Sequence, residues 1–85
     1  MANKEQVYAK IAETIEKVEN DSNLGGGGEI VAYAVDAVKA AFGIQCDYIY
    51  CGGFDSPGYE IHCYAIAYVT DDGELGFYDY QYEIY

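Results

Sequence analysis

The sequence predicts an α+β fold, with two N-terminal helices packed on one face of a three-stranded antiparallel β-meander (ααβββ). Three observations carry the prediction. Up to Gly43 the apolar residues recur every three or four positions, and beyond it they alternate. The alternating part is interrupted twice by turn chemistry, over 52–58 and at Asp72-Gly73. Eighty-five residues suffice for one hydrophobic core but not for two, so 1–85 is expected to be a single domain.

The first helix is expected over 3–20. Asn3 followed by Gln6 has the spacing of a capping box, and Val7, Ile11, Ile15 and Val18 share one face with Tyr8 and Ala12 beside them. Glu13 and Lys17 form a favourable pair one turn apart. Asn20-Asp21-Ser22-Asn23 then ends the helix, and Gly25 to Gly28 complete a flexible joint over 21–28. A phosphate loop needs a strand before it and usually a cation near it. Here a helix precedes and Glu29 follows, so the glycines read as a linker. The second helix is expected over 29–42. Ile30, Val31, Ala34, Val35, Val38, Ala41 and Phe42 form its apolar side, Glu29 complements the helix dipole, and Gly43 stands at the C′ position.

Strands are expected near 44–51, 59–70 and 75–84. Taking Asp72-Gly73 as a two-residue turn pairs Ala67 with Tyr78, Ala65 with Tyr80, Cys63 with Tyr82 and Ile61 with Ile84 on the helix-covered face. The opposite face then pairs Tyr68 with Phe77, Ile66 with Asp79, Tyr64 with Gln81 and His62 with Glu83. A slip that turned Asp79, Gln81 and Glu83 toward the helices would bury charge at great cost. In the first strand Ile44, Cys46, Tyr48 and Tyr50 are the inward set, leaving Gln45, Asp47, Ile49 and Cys51 outward.

The charge is unevenly placed. Fifteen acids against four lysines give a net charge of −11, yet residues 1–17 carry three of each sign and sum to zero. The whole excess follows Lys17, which marks a directed acidic surface rather than a uniformly acidic one. Such a chain is a poor ligand for DNA, RNA or anionic membranes. No run of the sequence is long and apolar enough for a membrane span, and the first 20 residues lack the apolar stretch of a secretion signal. Three cysteines without a disulfide spacing suit a reducing compartment, so a cytoplasmic location, in a bacterial host cell, is expected.

No catalytic, metal or cofactor site is expected. His62 and Cys63 are adjacent on a strand and point to opposite faces, so they cannot join one tetrahedral zinc site with Cys46 and Cys51. Cys51 and His62 lack an orienting third group and an anion-stabilising cation, which leaves Cys51 as a thiol near a loop. His62 reads instead as the cross-strand partner of Glu83. Asp71, Asp72 and Glu74 crowd a hairpin tip without the spacing of a calcium loop.

The informative feature is the sheet face that two helices leave uncovered. It is expected to present Asp47, Ile49, Glu60, His62, Tyr64, Ile66, Tyr68, Phe77, Asp79, Glu83 and Tyr85: an aromatic and aliphatic centre bordered by carboxylates. Contiguous apolar surface with a polar rim marks interaction sites, and tyrosine is enriched at their centres. The partner expected is a basic protein, bound without direct contact to nucleic acid or membrane. Self-association through the same face, as a homodimer, is the competing use.

In its size, its charge, the helix that follows Met1 and the acidic aromatic sheet from Asp47 to Tyr85, the chain resembles the small acidic anti-defence proteins of phages and mobile elements. That class includes anti-CRISPR proteins and DNA mimics. The resemblance implies stoichiometric, non-catalytic inhibition of a CRISPR effector or another nucleic-acid-handling enzyme. Acidic immunity or antitoxin proteins that neutralise a basic nuclease are similar in size and charge, and a structural homo-oligomer without an external target is a further reading.

Overall fold

A computed structural model describes residues 3–20 and 26–84. The order is α1 (Lys4–Glu19), α2 (Gly27–Phe42), β1 (Cys46–Ser56), β2 (Tyr59–Val69) and β3 (Leu75–Ile84). The strands form one antiparallel sheet in the order β1-β2-β3, which is the ααβββ arrangement the periodicity predicts.

α1 begins with the expected capping box: Asn3 Oδ1 accepts from the Gln6 backbone N–H at 2.8 Å, and Gln6 Oε1 accepts from that of Asn3 at 3.1 Å. Its apolar stripe of Val7, Ile11 and Ile15 is buried. α2 begins at Gly27, two residues before the expected start at 29, so part of the glycine run is helix. The cause is tertiary. A Cβ at Gly27 would sit 2.7 Å from the Tyr64 ring and 2.8 Å from the Tyr82 Cβ, so only glycine lets the helix backbone rest on the sheet there. The rest of the expected joint, 21–25, lies outside the described residues, as does Tyr85. Gly43 closes α2 with φ 66°, its N–H donating to the Lys39 carbonyl.

β1 runs on through the stretch expected to be a loop and ends at Ser56. The reversal is confined to Pro57-Gly58, with Gly58 at φ 90° as the second central residue of a type II turn requires. Between Tyr50 and Gly52 the register shifts by one, leaving Cys51 as the extra residue of a β-bulge.

The second hairpin corrects the expected register. Ala67 pairs with Phe77, Ile66 with Tyr78, Tyr64 with Tyr80, and His62 with Tyr82. The turn has three residues between Thr70 and Glu74 rather than two. The Thr70 N–H donates to the Glu74 carbonyl at 2.8 Å, the Gly73 N–H donates to the Thr70 carbonyl at 3.0 Å, and Gly73 takes φ 85°. This is a tight turn followed by a left-handed glycine, the usual three-residue hairpin. The buried Thr70 hydroxyl fixes it by bonding to Asp72 and accepting from the Glu74 N–H at 3.0 Å.

One extra turn residue inverts β2 relative to β3. The tyrosines of β3 still face the helices, as expected. On β2, however, Tyr64, Ile66 and Tyr68 face inward, while Cys63, Ala65 and Ala67 face out. Ile66 is fully buried and Tyr68 nearly so. Burying the larger side chains removes more apolar area from water, at about 25 cal/mol per Å². The core is therefore Val7, Ile11 and Ile15 of α1, Ile30, Val31, Ala34, Val35 and Val38 of α2, and Cys46, Ile66, Tyr68 and Tyr80 of the sheet. Tyr80 donates to Glu19 Oε1 at 2.7 Å, tying β3 to the end of α1.

Candidate functional site

The face turned away from the helices is built in rows across the strands. Asp47, Ala67 and Phe77 form one row, Ile49, Ala65 and Asp79 the next, and Phe54, Ile61 and Glu83 a third beyond the bulge. Because β2 contributes only small side chains in the first two rows, the middle of the face is a shallow trough. Ile49, Phe54, Leu75 and Phe77 rise beside it and are each more than half exposed. Ile61 is the exception on β2: it is 92% buried on this open side, opposite Phe54. Asp79, Gln81 and Glu83 share the β3 side of the face, and Asp47 stands on the β1 side.

The electrostatics follow from where the lysines are. Lys4, Lys10 and Lys17 lie on α1 and Lys39 on α2, so no lysine or arginine lies between Cys46 and Ile84, a span that holds eight carboxylates. The helical layer carries all the fixed positive side chains. The sheet layer carries none.

Of the site residues expected from the sequence, Asp47, Ile49, Phe77, Asp79 and Glu83 do lie on this face. Tyr64, Ile66 and Tyr68 belong to the helix-covered side, for the reason given by the turn. Glu60 and His62 also stand on the helix side of the sheet. They sit where the strands outrun the helices: sixteen helical residues span roughly 24 Å and eleven strand residues roughly 36 Å. Tyr85 is outside the described residues. The sequence reading missed Phe54 and Leu75, which alternation would supply once β1 is extended and the turn counted correctly.

His62 does not pair with Glu83. Its Nδ1 lies 2.9 Å from the Tyr50 hydroxyl and its Nε2 3.3 Å from Glu60 Oε2. Glu60, as a carboxylate, only accepts, so Nε2–H donates to it, and Nδ1 shares the second hydrogen bond with the Tyr50 hydroxyl. Tyr50, Tyr64 and Tyr80 continue as a row of rings with centroid separations of 5.3 and 6.4 Å. Burial raises the hydroxyl pKa values of Tyr64 and Tyr80, and the Glu19 carboxylate adds to the effect at Tyr80. Burial also pushes the Cys46 thiol up to about 11, so this cysteine is an inert core residue. Cys63 lies on the open face rather than inward as expected, and Cys51 is exposed at the bulge.

Among the described residues no group of three or more His, Cys, Asp or Glu is placed to hold a metal, and no helix is long and apolar enough to cross a membrane. The chain matches no known protein family, and no similar curated protein or solved structure is found.

Proposed function

We propose that this protein is a non-enzymatic acidic inhibitor that binds a basic nucleic-acid-handling protein, of the anti-CRISPR or DNA-mimic kind, and blocks a bacterial defence effector. One observation carries the reading: an open sheet face with exposed Ile49, Phe54 and Phe77, flanked by Asp47, Asp79 and Glu83, on a sheet without lysine or arginine. Carboxylates in this setting attract a cationic groove and speed encounter. The apolar ridges supply the desolvated contacts that slow release.

The test is inhibition of nucleic-acid cleavage by a panel of purified CRISPR effectors and nuclease toxins. Inhibition saturating at an equimolar ratio is expected for at least one CRISPR effector. Inhibition confined to nuclease toxins would transfer the assignment to an immunity protein. Reversing Asp47, Asp79 and Glu83 to Lys should abolish inhibition while preserving the circular dichroism of the fold, and unchanged inhibition would reject the open face as the site. Salt should slow association, whereas Phe77→Ala and Ile49→Ala should mainly speed dissociation.

A further inference from the structure

The two edges of the sheet are built differently. β1 carries a bulge at Cys51, a device that discourages another strand from pairing. β3 pairs with β2 without a register shift over its whole length and contains neither lysine nor proline. No other strand among the described residues pairs with its outer edge.

The hydrogen-bond phase identifies which groups that edge offers. The Thr70 N–H bonds to the Glu74 carbonyl, so even-numbered residues of β3 face β2 and odd-numbered ones face away. The backbone N–H and C=O groups of Phe77, Asp79 and Gln81 therefore point outward from the edge. Their side chains lie on the open face. A strand added here would place the side chains of its own paired residues directly beside Phe77, Asp79 and Gln81.

We infer that β3 is a docking edge for an extended basic segment of the partner, which adds to the sheet as a fourth strand. This rests on the proposed inhibitory reading and specifies how the partner is held. Alternate residues of the segment carry Lys or Arg onto the open face, beside Asp79 and toward Glu83. The intervening apolar residues turn to the helix side. There an open groove of about 580 Å³, lined by Tyr8 and Ala9 of α1 with Tyr68, Gly76 and Phe77, receives the first of them. Gly76 seats the Tyr68 ring that floors this groove, since a Cβ there would collide with the ring. A second copy of this chain fits the same demand less well: its β3, paired antiparallel about Gln81, would set Asp79 of each copy against Glu83 of the other, on two chains each carrying −11.

The test uses an acetylated, amidated seven-residue peptide of alternating Val and Lys as the probe. Its control is the same peptide N-methylated at every lysine, which keeps the charge and removes the donors that would face β3. The intact peptide should protect the amides of Phe77, Asp79 and Gln81 from hydrogen exchange. The methylated one should bind at least about tenfold more weakly, the cost of losing one or two hydrogen bonds. Gln81→Pro removes an edge-facing N–H and no charge, and should weaken the intact peptide to a similar degree. Equal affinity for both peptides would overturn the inference, independently of how any variant folds. A dimer of the protein alone that Gln81→Pro dissolves would overturn it in favour of self-pairing. Strand pairing without inhibition of any nuclease would sustain the docking edge and remove the proposed target class. Inhibition untouched by Gln81→Pro would sustain the open-face reading and remove the edge.

Discussion

β2 separates two surfaces of different kind within one run of residues. On its helix side Tyr64, Ile66 and Tyr68 join the core shared with both helices and with the tyrosines of β3. On its other side Cys63, Ala65 and Ala67 leave a trough. Both sets are apolar, yet only one is core. The difference is side-chain volume: the larger set has more area to bury and so faces the helices, while the small set leaves room between the ridges of β1 and β3.

The contrast breaks most sharply at neighbouring positions. Ile66→Ala empties a fully buried site and should cost about 2–5 kcal/mol in denaturant unfolding. Ala65→Ser, one residue away on the open side, should stay within about 0.5 kcal/mol. A comparable loss at both positions would mean that the open face is packed in solution.

The next effect probes the contact between α2 and the sheet. Gly27→Ala drives a Cβ into Tyr64 and Tyr82, and overpacking of this kind should outweigh the helix-propensity gain, for a net loss of about 1–2 kcal/mol. At Gly28 the nearest atom is the Tyr64 hydroxyl at 3.8 Å, so Gly28→Ala should stabilise, by up to about 1 kcal/mol. Thermal melting of the pair checks the opposite signs.

The smallest effect concerns pH. Tyr80 and Cys46 both hold their protons more tightly folded than unfolded, so their contribution is complete below their ordinary pKa values. It is lost as pH rises past those values, of 9.0 for the thiol and 10.0 for the phenol, through the higher folded ones. Tyr80→Phe should lower stability at neutral pH by about 1 kcal/mol, through loss of the bond to Glu19, and make the alkaline decline shallower. Urea unfolding between pH 7 and 11 reads both changes.

Much of this architecture is legible in the sequence, because periodicity changes at Gly43 and each helix has one apolar stripe. The face of β3 is legible too, since Asp79, Gln81 and Glu83 cannot be buried. The face of β2 is not, because its alternation separates large apolar from small apolar rather than apolar from polar. Its orientation depends on one residue of turn length, and Asp72-Gly73 looks like a two-residue hairpin until the Thr70 hydroxyl is seen to bond across it. Side-chain volume is the signal that would have chosen correctly, by setting Ile66 and Tyr68 against Ala65 and Ala67. The early start of α2 is invisible for another reason: what permits glycine helix there is a tyrosine pair distant in sequence.

The three-residue turn between β2 and β3 also bears on how this gene can change. A residue gained or lost within the tip can be absorbed there, because two- and four-residue hairpin loops also join Thr70 to Glu74 with the strand pairing intact. A residue gained or lost inside β2 or β3 turns the side chains beyond it to the opposite face and exposes Ile66 or Tyr80, unless a bulge takes it up as Cys51 does in β1. Length variation should therefore gather at the tip and spare the strands on either side of it.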